Sequence, residues 1–164
     1  MKTHRILNLI GWLVSGILLF LWQENYLPFH YEYIEQFRLF HSSAESFIEH
    51  ASYPSGLVEY IASYLIQFFS QPYWGAGIVT LLFLIIGIGM QLIFMRICPR
   101  VDMPLAYLLP VLLLLFAGMD LNYHLEGTLA FALTVWLLNL QIRITRPLYR
   151  IISGGLLSWI IFYL

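Results

Sequence analysis

The chain has 164 residues, of which 60% are hydrophobic and only 10% are charged, and its formal net charge is −1. A soluble domain carries roughly a quarter charged residues to cover its surface, so this composition excludes an ordinary soluble globular domain and indicates a lipid environment. Because the chain contains a single lysine and no basic patch for phosphates, nucleic acid is excluded as a partner.

Four apolar segments approach or meet the length of a membrane-spanning helix, and a fifth apolar run of about fourteen residues either pairs as a short span or is cut off. A span needs about 20 apolar residues, because ~30 Å of hydrocarbon is crossed at ~1.5 Å per residue. The predicted spans are at about 6–22, 74–94, 103–119, 128–142 and 151–164. The first follows Lys2 and Arg5 but lacks the small residues of a signal-peptidase site, so we interpret it as an uncleaved anchor.

The predicted fold is therefore all-α. We expect a polytopic helical membrane protein with four to five transmembrane helices, forming a single membrane domain over residues 1–164. The fifth apolar run stops at Leu164 without a closing anchor, so we expect the chain to be the N-terminal portion of a larger protein. In the second predicted span, Gly75, Gly77, Gly87 and Gly89 favour close helix packing.

The long connection over residues 23–73 has helical periodicity in two places. Between Tyr31 and Ala51, apolar residues recur every three or four positions opposite a polar arc. This pattern predicts an amphipathic helix on the membrane surface, broken near Ser42 and Ser43. A second apolar helix is predicted from Leu57 to Phe69, after a Pro-Ser-Gly turn, and it is too short to span, so we expect it to lie flat or dip partway. The first loop thus holds two amphipathic surface helices.

The charged residues predict the orientation. With the N-terminus in the cytoplasm, every basic residue except Arg38 falls on the cytoplasmic side, as the positive-inside rule requires. Every acid except Asp102, and every histidine except His4, then falls on the outer side. We therefore expect the polar chemistry of this protein on its outer face.

Two outer groups could carry that chemistry, and each has a plainer interpretation. On one edge of the first surface helix, His41, Glu45 and Glu49 suit a metal ion, although such carboxylates also suit an ordinary solvated helix face. Glu59 begins the second surface helix, where it either faces a polar cavity or is a first-turn charge on the helix dipole.

The connection between the third and fourth predicted spans holds Asp120, His124 and Glu126. Because ionisable groups near hydrocarbon are costly unless paired or hydrated, they either share a polar cavity or form a solvated turn with Glu126 on the helix dipole. No serine elbow, Walker loop or zinc spacing is present, and Cys98 is the only cysteine.

The layout resembles the N-terminal module of the C-type (GT-C) membrane glycosyltransferases. Tyr31-Glu-Tyr-Ile-Glu35 stands where that family places a first-loop acid. The segments 53–60 and 67–75 resemble its proline turn, second surface helix and the glycine before the second span, although the doubled proline is the single Pro54 and no Asp-Glu pair follows the first span. The chain also resembles the start of large uncharacterised bacterial multi-pass proteins.

The resemblance implies transfer of a sugar from a polyprenyl-phosphate donor on the outer face of a bacterial inner (cytoplasmic) membrane. Glu32 or Glu35 would orient or deprotonate the acceptor hydroxyl, and Asp120, His124 or Glu126 would help hold a divalent cation against the donor phosphate. The alternative is a non-enzymatic subunit or scaffold of an envelope-assembly complex, with membrane-protein partners. The two hypotheses differ in whether a first-loop carboxylate converges with the 120–126 connection beside an apolar groove.

Overall fold

The structure is a computed structural model that describes residues 2–27, 31, 33–34, 40–71, 73–97, 108–120 and 123–163, with the backbone alone at 2–8, 162 and 163. Across these ranges the chain is all-helical, as predicted, and no strand is present. Seven helices lie in the described ranges: α1 (Lys2–Tyr26), α2 (Ala44–Ala51), α3 (Gly56–Ile66), α4 (Trp74–Ile97), α5 (Leu109–Ala117), α6 (Leu125–Arg143) and α7 (Pro147–Tyr163).

Helix α4 packs against α1 in antiparallel orientation. Trp12 of α1 lies over Gly87, where an added Cβ would be only 2.4 Å from Trp12 Cη2. The indole Nε1 of Trp12 donates a 2.8 Å hydrogen bond to Oε1 of Gln91. Phe20, two turns further along α1, is the nearest side chain to Gly77. Because residue numbers rise on α1 as they fall on α4, the two helices run in opposite directions.

Helix α6 packs along α4 in parallel orientation, and polar side chains join the two. Trp136 Nε1 donates to the carbonyl of Ile85 at 3.2 Å, and Asn139 Nδ2 donates to the carbonyl of Gly89 at 2.8 Å. Two turns further along α4, Arg96 donates to the carbonyl of Asn139 at 3.3 Å. The prediction of close packing at the α4 glycines is confirmed for Gly87 and Gly89, and also for Gly75, which Tyr31 contacts.

These orientations give the bundle two chemically different ends. The N-terminus of α1 shares one end with Arg96 and Arg143, which lie in the last turns of α4 and α6. The opposite end holds the C-terminus of α1, the α2–α3 hairpin and the connection that carries His124 and Glu126. We call this second end the acidic end, since it carries the described carboxylates.

The α2–α3 hairpin begins where the sequence predicts a break. Ser43 is the N-cap of α2, and its Oγ accepts the backbone N–H of Ser46 at 3.1 Å. Helix α3 then packs against α6, and its buried residues include Gly56 and Ala62. An added Cβ on Gly56 would lie 1.9 Å from the carbonyl oxygen of His50, so only glycine fits this close return of the chain.

Burial of α3 exceeds what we predicted for a helix lying flat. Val58, Ala62 and Ile66 are almost fully buried in the core, so α3 is a packed element of the bundle with one solvent-facing edge. The sequence pattern predicted an apolar face but could not identify its partner, which is α6.

Within the described ranges, α4 and α6 are long and apolar enough to cross a membrane. Helices α1, α5 and α7 occupy the other predicted spans, although α5 covers only Leu109–Ala117 of the segment 103–119. Large apolar side chains are exposed on the outside of the bundle, including Leu13, Ile17, Leu113, Ile151 and Trp159, each more than half exposed.

Candidate functional site

A buried polar cluster lies inside the acidic end. The hydroxyl of Tyr31 donates a 2.6 Å hydrogen bond to Oε1 of Gln23, which is 1% exposed at the end of α1. Tyr123 faces the same small cavity, and the ring of Phe69 packs edge-on against Tyr31 at 5.3 Å between centroids. The first loop and the α5–α6 connection therefore meet through tyrosine side chains.

Among the described residues, two polar atoms of this cluster find no hydrogen-bond partner, namely Gln23 Nε2 and the hydroxyl of Tyr123. The cavity between them leaves about 20 Å³ for the centre of a water molecule, enough for one ordered water. Burial raises the pKa of Tyr31 well above its ordinary value, with smaller contributions from Tyr123 and Glu24. Burial also raises the pKa of Tyr123, and the nearby charge of Glu126 makes a smaller contribution in the same direction. Both hydroxyls are therefore neutral donors over the physiological pH range.

Next to this cluster, His124 and Glu126 open helix α6. His124 is the N-cap residue and Glu126 lies in the first turn, with 3.8 Å between His124 Nδ1 and Glu126 Oε2. The His124 side chain is 69% exposed, whereas that of Glu126 is 18% exposed. Glu126 therefore lies at the N-terminal end of the α6 dipole, and its charge also acts on the buried Tyr123. Asp120 is exposed in the turn before them.

A second, open site lies between α2 and α3. This outer cleft has a volume of about 380 Å³ and is lined by Phe40, His41, Ser43, Glu45, Ser46, Glu49, His50, Tyr60 and Ser63. The prediction that His41, Glu45 and Glu49 share one helix edge is wrong for His41, which precedes α2, although all three line this cleft. Its size falls within the range typical of small-ligand pockets.

Aromatic rings form one side of the outer cleft, with Tyr60 at their centre. The centroid of Tyr60 lies 4.9 Å from that of Phe40, 5.4 Å from that of Phe47 and 5.6 Å from that of His50. His50 Nδ1 lies 2.7 Å from the carbonyl oxygen of Ser46, so this nitrogen carries the hydrogen and donates it. In the neutral imidazole, Nε2 is then left as an acceptor.

The structure separates the remaining predicted site residues. Glu59 lies in the first turn of α3 and accepts a 2.9 Å hydrogen bond from the hydroxyl of Tyr53, so it lines neither site. Glu32 and Glu35, the predicted acids of the first loop, lie outside the described residues. Their described neighbours Tyr31 and Ile34 are both buried in the core.

A metal site is not formed by the part of the chain that the structure describes. No three histidine, cysteine, aspartate or glutamate side chains in those ranges lie together as ligands for a metal ion. The described Asp120, His124 and Glu126 contribute one close pair, His124 with Glu126. Their role in holding a divalent cation stays a prediction, as does the role of Glu32 or Glu35 toward the acceptor hydroxyl.

The sequence analysis missed several residues of these sites. It did not identify Gln23, Tyr31 or Tyr123 as site residues. Tyr60 was also missed, since its ring lies on the apolar face of a short helix. A polar side chain in the last turn of a long apolar helix was the one available signal for Gln23.

A helical bundle with two long apolar helices and a polar end is the class of protein that this fold defines. The chain belongs to a family of unknown function, DUF6057, whose model matches residues 2–164. This match confirms the expected membership of an uncharacterised family, and it carries no link to the GT-C glycosyltransferases. The comparisons with curated proteins and with solved structures return no match.

Proposed function

We propose that this chain is a membrane-integral helical module that presents a polar site at its acidic end. The observation that carries this proposal is the extensive exposure of large apolar side chains, together with a few buried polar ones. Gln23, Thr80, Thr128 and Asn139 are almost fully buried, whereas large apolar side chains cover the outside of α1, α5 and α7. Soluble proteins bury apolar side chains and expose polar ones, so this arrangement suits a bundle whose solvent is lipid.

Membrane integration is tested by extraction. The protein should stay with the membrane pellet after washing with alkaline carbonate and with high salt, and it should dissolve only in detergent. Release by carbonate would contradict integration, because that treatment removes proteins that are held at the surface by charge alone.

At the acidic end we propose the chemistry of a polyprenyl-phosphate-dependent glycosyltransferase, with this chain as its N-terminal module. Tyr31 supports the proposal, because it is held by Gln23 and Phe69 immediately before Glu32 in the chain and shares its cavity with Tyr123. In this mechanism Glu32 or Glu35 takes the proton of the acceptor hydroxyl as its oxygen attacks the sugar carbon, and the lipid phosphate leaves.

Glutamine substitutions test this assignment in the product of the complete gene. Glu32→Gln and Glu35→Gln, singly and together, should abolish an outer-envelope sugar modification while protein abundance stays unchanged. Glu45→Gln is the matched control, since it removes an outer carboxylate from a different site and should leave the modification intact. Unaltered glycans in the double variant would remove the catalytic assignment.

The competing proposal is a non-enzymatic subunit of an envelope-assembly complex. Helix α7 favours it, since α7 contacts the bundle near Gln141 and is otherwise exposed along Ile151, Leu156 and Trp159. A partner helix would cover this face. Crosslinking from residue 156 to a second membrane protein, together with unaltered glycans in the Glu32 and Glu35 variants, would favour the scaffold.

A further inference from the structure

We propose that the small cavity lined by Gln23, Tyr31 and Tyr123 binds one neutral oxygen acceptor, which receives hydrogen bonds from Gln23 and Tyr123 together. The bound oxygen belongs either to a water molecule or to the ester carbonyl of a membrane lipid. This site does not depend on glycosyl transfer. Two buried donors, an uncharged lining and the size of the cavity carry the proposal.

The two donors come from distant parts of the chain. Gln23 is 1% exposed, and its Oε1 accepts the hydroxyl of Tyr31, whereas its Nε2 has no hydrogen-bond partner in the described ranges. The buried hydroxyl of Tyr123 has no partner there either, and both residues line the cavity. An amide N–H only donates, and a phenol O–H also donates, so an acceptor is the group that satisfies both. Buried polar groups of this kind are costly when they stay unpaired.

The lining of the cavity excludes a charged ligand. Apart from Gln23, Tyr31 and Tyr123, its described residues are glycine, aliphatic or aromatic. None of them is a carboxylate that would pair with a cation, or a lysine or arginine that would pair with an anion. Because an unpaired charge is very costly in apolar surroundings, the acceptor is a neutral oxygen.

The size of the cavity limits the ligand to one oxygen. About 20 Å³ is open to the centre of a water molecule, and one water needs about 10–15 Å³ and two to four polar partners. A whole water molecule fits. A lipid would place only its carbonyl oxygen between the donors. Trp22 of α1 and Leu115 of α5 line the cavity and are only partly buried, so this oxygen can arrive from the outside of the bundle.

The tyrosine hydroxyls lie close enough to act on each other. Burial is the main cause that raises the pKa of Tyr31, and the charge that Tyr123 would carry is the next. Burial also raises the pKa of Tyr123, so its hydroxyl keeps the hydrogen that it donates. The bound oxygen therefore joins the end of α1 and the first loop to the α5–α6 connection.

A double-mutant cycle tests the bridge, because Gln23 and Tyr123 share no direct hydrogen bond and only a common partner would couple them. The full chain is unfolded with SDS from bicelles of a diester phosphatidylcholine, which offer both water and ester carbonyls. Tyr123→Phe should lower the folding equilibrium constant by about fivefold in the wild type and by less than about twofold in a Gln23→Leu background. An equal loss in both backgrounds, or no loss in the wild type, would overturn the proposal.

Thr128→Val is the matched control. Thr128 is 1% exposed, and its hydroxyl also has no partner in the described part of the chain, but it is not a lining residue of the cavity. The effect of Thr128→Val should be the same with Gln23 and with Leu at position 23. Coupling as strong as that of Tyr123→Phe would assign the effect to general repacking and contradict the site.

NMR of the wild-type chain identifies the source of the oxygen without relying on a variant. The side-chain amide of Gln23 is observed in nanodiscs of diester phosphatidylcholine and of diether phosphatidylcholine, which has no carbonyl. A cross-peak from this amide to water in both lipids assigns the oxygen to water. A water cross-peak confined to the diether lipid, with shifted amide resonances in the diester lipid, assigns it to the lipid carbonyl. No water cross-peak in either lipid, with the same chemical shifts in both, would overturn the proposal.

Discussion

Tyr31 and Gln23 form a buried hydrogen bond, and we expect the stability that each side chain contributes to depend on the presence of the other. Tyr31→Phe removes the hydroxyl that donates to Gln23 Oε1 at 2.6 Å, and Gln23 Nε2 has no partner among the residues that the structure describes. The Gln23 side chain is 1% exposed, so its amide would be buried with neither Oε1 nor Nε2 hydrogen-bonded to a described residue. Leaving a buried acceptor unpaired costs about 1–3 kcal/mol, so we expect Tyr31→Phe to lower the free energy of unfolding by that amount.

The double variant Tyr31→Phe/Gln23→Leu separates this pairing from a simple loss of packing. Replacing both partners by apolar groups of similar shape is nearly neutral, so the double variant should recover most of the stability lost in Tyr31→Phe. Unfolding in mixed micelles with increasing SDS, followed by circular dichroism, measures the free energy of unfolding of the wild type, of Tyr31→Phe, of Gln23→Leu and of the double variant. Additive losses in the two single variants, or a stable Tyr31→Phe, would refute the reasoning.

Two further predictions concern helix packing and pH. Gly87→Ala should lower the free energy of unfolding by about 1–3 kcal/mol, because the added Cβ would lie 2.4 Å from Trp12 Cη2. Gly155→Ala is the control, because no neighbouring side chain lies within 4 Å of the added Cβ. In the same unfolding assay, Gly155→Ala should be neutral or slightly stabilising. Since burial raises the pKa of Tyr31 and Tyr123, stability should be fully present below about pH 10 and fall as pH rises beyond it. In a spectrophotometric titration, Tyr31→Phe should remove one late-titrating tyrosine, and an unchanged late phase would contradict the assignment.

Apolar runs were enough to predict helices in all five apolar segments, because length and hydropathy alone determine where such helices form. The break at Ser43 was predictable as well, since a serine N-cap has a local cause. The packing of α3 against α6 was not predictable, because the apolar face of a helix does not show which element packs against it. The cluster of Gln23, Tyr31 and Tyr123 joins residues about a hundred positions apart, and nothing in their local sequence links them.

The candidate chemistry was predictable only in part, for the same reason. Spacing on one helix placed Glu45 and Glu49 on a common edge, and both line the outer cleft. The opposite side of that cleft comes from Tyr60 on another helix, whose register against α2 is set by the close return at Gly56. Long-range geometry of this kind is fixed by packing and not by local pattern.

Sidedness is tested most directly by labelling single cysteines in intact cells. In a Cys98→Ser background, which removes the only native cysteine, Glu45→Cys should react with a membrane-impermeant maleimide, and Arg146→Cys should react only after the cells are opened. This result places the outer cleft and the arginine-bearing end on opposite sides of a membrane. Protection of residue 45 in intact cells, with labelling of residue 146, would contradict the orientation on which the proposed function depends.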